Sequence, residues 1–264
     1  MDYESVGVSL YEQEIFNVKL AAKMPWLGGH AGAFDVGGDY LVSGCDGIGT
    51  KIKLYLENKD VKGVSIKNLG QDLVAMVFND IVCFGATPLF MNDYLAVPVI
   101  SDEYFELIDG INDALKPLEG KPPLISGETA IHTDIETFDI AGFGVGACPK
   151  ANFIDGKQIK EDDVILGLKS SGFHSNGYTL IRKVWLEKEA VRSKDRDVII
   201  KRLLTPSRIY VNTILAVLRK YAPSINGICH ITGGGRENLN RLMGENLNLR
   251  PRWNDNWTRP PEFE

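Results

Sequence analysis

No stretch of this 264-residue chain approaches the roughly 18 consecutive apolar residues that a membrane-spanning helix needs, so a membrane protein is not expected. Basic runs are missing too. The formal net charge is −6, which leaves no electrostatic footprint for a nucleic-acid backbone, and nucleic acid is not an expected partner. Cysteine is sparse: Cys45, Cys83, Cys148 and Cys229 are scattered, with no CxxC pair. A zinc cluster or a disulfide framework is therefore not expected, and reduced thiols in the cytoplasm are the simple reading. The opening Met1-Asp2-Tyr3-Glu4 is acidic and no apolar core follows it, unlike a secretory leader. The GxxxxGK[ST] spacing of a Walker A loop is also missing, as are internal repeats.

What is present is an ordinary globular composition, 44% hydrophobic and 24% charged, enough to bury one large core or two modest ones. Tyr40–Ser43 reads as a strand, and residues 69–85 as a largely buried helix. Leu69, Leu73, Met76 and Val77 keep its helical spacing, with Gly85 and Pro88 to end it. Leu89–Val99 reads as β, 102–118 as an amphipathic helix, Leu124–Thr129 and Phe138–Gly146 as strands. A polar, turn-rich stretch near 147–162 marks the expected boundary between a domain over 1–148 and another over 149–264. Beyond it, Val164–Leu168 and Ile228–Thr232 read as strands, and 177–188 and 206–221 as helices. Thr205-Pro206 supplies a cap and a first-turn proline for the last of these.

Asp80 is the sharpest chemical signal. It stands among Val77, Phe78, Ile81 and Val82, and a carboxylate in apolar surroundings demands a cation, a metal or several donors. It reads equally as a hydrogen-bonded structural residue. Asp72 and Asn79 lie seven apart on one helical face and could extend a line of oxygen ligands suited to magnesium, although Asp72 also reads as a solvated first-turn charge. Asp46 ends a strand in the run Asp46-Gly47-Ile48-Gly49-Thr50-Lys51. The glycines there would let backbone N–H groups approach a phosphate, with Thr50 and Lys51 in support; an ordinary Asp-Gly turn is the alternative. Glu128 follows Ser126-Gly127 at another strand end. Gly28, Gly29 and Gly32 belong to a glycine-rich loop around His30 that could close over phosphates or simply flex. His174, Ser175 and Asn176 precede a helix, where N–H groups can hold an anion and His174 could serve as acid, base or donor. His230 opens a second glycine turn through Gly233 and Gly234.

In order, SGCDGIGTK (43–51), GQDLVAMVFNDIVCFGATPLF (70–90), SGETA (126–130), FDIAGFGVG (138–146), SSGFHSNGYTLIRK (170–183), LTPSRIY (204–210) and HITGGG (230–235) resemble the phosphoribosylformylglycinamidine cyclo-ligase (aminoimidazole ribonucleotide synthetase) family. The likeness runs over about residues 5–260. It implies a mixed α/β, two-domain fold whose N-terminal domains pair through a β-barrel-like homodimer interface. It implies ATP and Mg2+ as cofactors and formylglycinamidine ribonucleotide as substrate, closed to aminoimidazole ribonucleotide in purine biosynthesis. On this likeness Asp46, Asp80 and Glu128 would hold the metal, with Asn79 and Asp72 in support. Lys51 and the 28–34 loop would meet phosphates. His174, with Ser175 and Asn176, would face the substrate or the transferred phosphoryl group, and His230, Gly233 and Gly234 would bind from the second domain.

The likeness also breaks in places. His30 and Ala31 stand where the family tends to have glycine, the turn before Arg236 is one residue short, and about the last quarter of the family's length finds no counterpart, which leaves the second α/β domain truncated. The alternatives are another ATP-dependent member of the same superfamily, or a nucleotide-binding remnant that dimerises with or regulates a full-length partner.

Overall fold

The computed structural model describes residues 7, 9–23, 30–186, 195–243 and 251–253. Gly28 and Gly29 lie outside these residues, as does the tail beyond 253. Five strands form one sheet in the order β1-β2-β5-β3-β4. They are β1 (Gly32–Asp35), β2 (Asp39–Gly47), β3 (Thr87–Val97), β4 (Leu124–Ile131) and β5 (Asp139–Pro149). All neighbours are antiparallel except β3 and β4, which run parallel because helix α4 (Glu103–Leu115) crosses over between them. Helix α1 (Leu10–Lys23) precedes the sheet, and the short α2 (Lys51–Leu56) follows β2.

Helix α3 (Lys67–Val82) is the centre of the core. Residues on every side of it are buried, as expected of a helix apolar all round. It lies on the sheet because β5 turns bare backbone towards it. A Cβ on Gly144 would stand 2.5 Å from Val77 Cγ1, and on Gly146 2.7 Å from Ile81 Cγ2. α3 and α4 cross in the same way, since a Cβ on Gly110 would stand 2.3 Å from the Lys67 carbonyl oxygen. α3 ends at Val82, three residues before the expected 85; Gly85 takes φ +78°, which L side chains rarely adopt, and Thr87-Pro88 open the next strand.

Strand pairing fixes which side chains share a face. Asp46, Gly142, Asp93 and Gly127 stand in one cross-strand row on the α3 side. Gly47, Ala141, Tyr94 and Glu128 form the next row, on the opposite side. That outer face has no helix over it among the described residues and leaves Phe34, Tyr94 and Phe143 exposed.

After Pro149 the described residues contain helices and irregular chain but no strand. The helices are α5 (Tyr178–Ile181), leading into a π-turn at Arg182–Leu186, α6 (Arg196–Leu203), α7 (Val211–Tyr221) and α8 (Asn240–Met243). Two expectations fail here. Residues 164–168 and 228–232 are not strands: a strand needs a ladder partner, and these runs have none among the described residues. Val164 and Leu166 stay 81% and 83% exposed. The helix expected from 206 begins only at Val211, because residues 205–210 are held in irregular form by polar side chains of α3. No helix among the described residues is long and apolar enough to cross a membrane.

Candidate functional site

The polar residues of α3 do two different jobs. Gln71, Asp72 and Asn79 hold the second half of the chain. Gln71 Nε2 donates to Ser207 O (2.9 Å), and the Ser207 amide and hydroxyl donate to Asp72 Oδ1 (2.7 and 2.6 Å). Asn79 donates to Arg208 O and accepts from the Tyr210 amide. Asp72 is also paired with Lys51, both side chains fully buried. The Lys51 ammonium lies 2.8–2.9 Å from Asp72 Oδ1, His174 O and Thr205 O, so its three donors are all engaged. Burial pushes the Lys51 pKa down and the Asp72 pKa up, against the pull of the pair itself. Here Lys51, Asp72 and Asn79 are engaged within the chain and clamp the two halves together.

Asp80, one residue past Asn79, turns elsewhere. Its Oδ1 accepts from His230 Nδ1 at 2.6 Å, with His30 Nδ1 at 3.9 Å, and its side chain keeps 14% exposure. Asp46, at the end of β2, lies close enough for the two carboxylates to repel. Burial raises the Asp46 pKa, its hydrogen bond from the Gly47 amide (2.8 Å) opposes this, and the Asp80 charge raises it further. Arg241 of α8 donates from Nη1 to His30 Nδ1 at 3.2 Å. Burial lowers the His30 pKa to about 4.

Three loops converge beside α3, between Asp72 and Asp80. In the 46–50 loop Gly49 sits at φ +55°, where an added Cβ would stand 4.0 Å from Ser175 O, and Thr50 Oγ1 meets Thr179 Oγ1 at 3.1 Å. A Cβ on Gly233 would stand 3.4 Å from Asn176 Oδ1, and Gly234 takes φ +87°. Asn238 Nδ2 fixes that turn by donating to Gly233 O and Gly235 O. His174 sits at φ +57°, held there by its Nε2, which accepts from the Ser171 and Arg208 amides (3.1 and 3.4 Å). Burial lowers its pKa to about 4, so it is neutral near pH 7 with its proton on Nδ1. It can donate a hydrogen bond there but is no reservoir of protons.

Glu128 cannot join Asp46 and Asp80 within one chain. It sits on β4, three strands from β2, and points to the opposite face of the sheet. Gly32 begins the edge strand β1. Among the described residues no group of three or more His, Cys, Asp or Glu is arranged to hold a metal ion. The donor set is two mutually repelling carboxylates, which suits Mg2+, an ion that commonly takes one or two carboxylates and completes its shell with water and phosphate oxygens. Arg241 and Asn238 had no local signal in the sequence, since only the fold brings α8 to the glycine loop.

Residues 28–148 match the family described as AIR synthase related protein, N-terminal domain, and residues 160–261 match its C-terminal domain family. The chain is 41% identical to the phosphoribosylformylglycinamidine cyclo-ligase of Xylella fastidiosa over 91% of its own length and 70% of that protein. It is 41% identical to that of Clostridium tetani over 94% and 73%, and 38% identical to that of Bacillus pumilus over 99% and 80%. The fold is shared with the solved structure of AaThiL complexed with AMPPCP and TMP (TM-score 0.58, 14% identity, 88% of this chain and 69% of that one). It is shared too with the thiamine monophosphate kinase of Aquifex aeolicus (TM-score 0.51, 16% identity, 81% and 66%). With both halves matched in order, the chain belongs to the phosphoribosylformylglycinamidine cyclo-ligase family.

Proposed function

We propose that the protein closes formylglycinamidine ribonucleotide to aminoimidazole ribonucleotide in purine biosynthesis, using ATP and Mg2+. The observation that carries the reading is the meeting of Asp46, Asp80 and His230, with the 46–50, 174–176 and 230–235 loops, along the stretch of α3 from Asp72 to Asp80. Asp46 and Asp80 would hold the metal, which when bound neutralises charge on the transferring phosphoryl group. The γ-phosphoryl group passes to the substrate's amide oxygen, making it a leaving group. The substrate's own nitrogen then attacks that carbon, the C–N bond forms and phosphate departs. The chain's task is to align the two oxygens and screen charge. Asn176, Gly233 and Gly234 line the approach from the second half, and His174 contributes an Nδ1–H donor. Gly28, Gly29 and Gly32 would cover the phosphates. The 1–148 and 149–264 domains would each contribute residues to this site.

The exposed Phe34, Tyr94 and Phe143 support a homodimer through the outer sheet face, where Glu128 would face the partner. Four free thiols fit a cytoplasmic setting. The test is incubation with ATP, Mg2+ and formylglycinamidine ribonucleotide, measuring aminoimidazole ribonucleotide. Asp80→Ala should abolish product while leaving the fold intact, and full turnover by that variant removes Asp80 from the mechanism. A second reading, nucleotide binding without turnover, is favoured by the unpaired 164–168 and 228–232 runs. ATP binding with no product would select it.

A further inference from the structure

Every polar atom of Ser207 is bound inside the protein. The residue is 1% exposed. Its amide and its hydroxyl both donate to Asp72 Oδ1, and its carbonyl accepts from Gln71 Nε2. The hydroxyl has a second neighbour, Ser175 Oγ at 3.1 Å. A hydroxyl has one proton, and that of Ser207 goes to the carboxylate, which can only accept. Ser175 is therefore the donor in the second contact, and a directed chain runs from Ser175 through Ser207 to Asp72.

This chain closes around His174. Ser175 is the next residue, and the Lys51 ammonium that pairs with Asp72 also holds the His174 carbonyl. Arg208, which follows Ser207, donates its amide to His174 Nε2 together with the amide of Ser171. Ser171 is tied to the same segment, its Oγ donating to Pro206 O at 2.7 Å. His174 needs this grip. At φ +57° it holds a conformation that a residue with a side chain keeps only where its surroundings impose it. The two amides at Nε2 also leave Nδ1 as the atom that carries the proton of the neutral ring.

We propose that Ser207 is a positioning residue of the reaction: acting through His174, it sets the left-handed backbone at that residue and keeps the ring proton on Nδ1. This deepens the reading of the site given above and rests on it, since His174 has to meet the substrate or the transferred phosphoryl group. The chain bypasses Asp46 and Asp80, whose hydrogen bonds go to Gly47 and His230. A change at Ser207 therefore slows turnover and leaves nucleotide binding alone.

The experiment is a double-mutant cycle on the full chain, with Ser207→Ala, His174→Gln and the two combined. Each is assayed for ATP-dependent formation of aminoimidazole ribonucleotide and for the 15N signals of the His174 ring at pH 7. A displaced catalytic group costs roughly ten- to hundredfold. Ser207→Ala should lose at least about tenfold in kcat, with KM for ATP within about threefold of native. In the His174→Gln background the same change should cost less than about twofold, because the residue it acts through is gone. The native ring should show its proton on Nδ1, and Ser207→Ala should show a mixture of tautomers. A residue that only supports the fold would lower thermal stability and leave kcat per folded site and the tautomer unmoved. Native protein that makes no product defeats the functional reading itself. Native turnover with an undiminished Ser207 effect in the His174→Gln background overturns only this inference, and so does a native ring protonated on Nε2, a result that needs no variant to fold.

Discussion

Replacing Lys51 by Met separates a structural role from a ligand-binding one. The substitution keeps most of the apolar stem and removes the ammonium. Asp72 then remains fully buried with its two Ser207 donors but no cation, and the carbonyls of His174 and Thr205 lose their donor. Breaking a buried pair by removing one member costs about 3–5 kcal/mol. Set against a total stability of about 5–15 kcal/mol, that is a large fraction. With a urea m-value of about 2–3 kcal/mol/M, the midpoint should fall by about 1–2 M. Adding Asp72→Asn to the same chain removes the stranded charge and should recover part of the loss, so the two changes are strongly non-additive. Urea unfolding followed by circular dichroism gives the stability, and calorimetry at low urea gives nucleotide affinity, which should stay within about threefold of native. A variant with an unchanged midpoint and tenfold weaker nucleotide binding would refute the reasoning and return Lys51 to the phosphates.

Burial lowers the His174 pKa from 6.5 to about 4. The unfolded chain therefore binds more protons than the native one between those values, and stability is lost as pH falls from about 6.5 to 4. At 1.36 kcal/mol per unit the loss is roughly 3 kcal/mol, and His174→Gln should flatten the slope of unfolding free energy against pH. Gly110→Ala places a methyl against the Lys67 carbonyl, so it should cost about 1–3 kcal/mol in the same urea assay, or more if α4 cannot shift. Phe143→Glu puts a charge in the middle of the exposed outer face. Sedimentation should show a dimer for the native chain and a monomer for the variant, with a native monomer at working concentration counting against the sheet-face interface.

Periodicity served well wherever an element is fixed by its own residues. The apolar spacing of α3 and the small-residue run of β5 were legible because burial on all sides and bare backbone leave compositional traces. The face shared by Asp72 and Asn79 was also read correctly, but not its partner. A helix wheel gives direction, and the groups waiting there, Ser207, Arg208 and Tyr210, lie some 130 residues away in sequence. Glu128 was read from its proximity to a strand end, which says nothing of which face a side chain takes until the register with Tyr94 is known. The 164–168 run has strand-like composition, yet composition cannot supply a neighbour to pair with. Arg241 left no signal because its role arises only when α8 meets His30.

The bare backbone of β5 has a further consequence. Gly142 and Gly144 act as shims of zero thickness between the sheet that carries Asp46 and the helix that carries Asp80. Adding a methyl at Gly144, 2.5 Å from Val77 Cγ1, would lift α3 and widen the gap between the two carboxylates proposed to share one small ion. Positions with no side chain would therefore set the tolerance of the proposed metal site. An alanine there should alter metal preference, towards larger ions such as Ca2+ over Mg2+, before it abolishes folding.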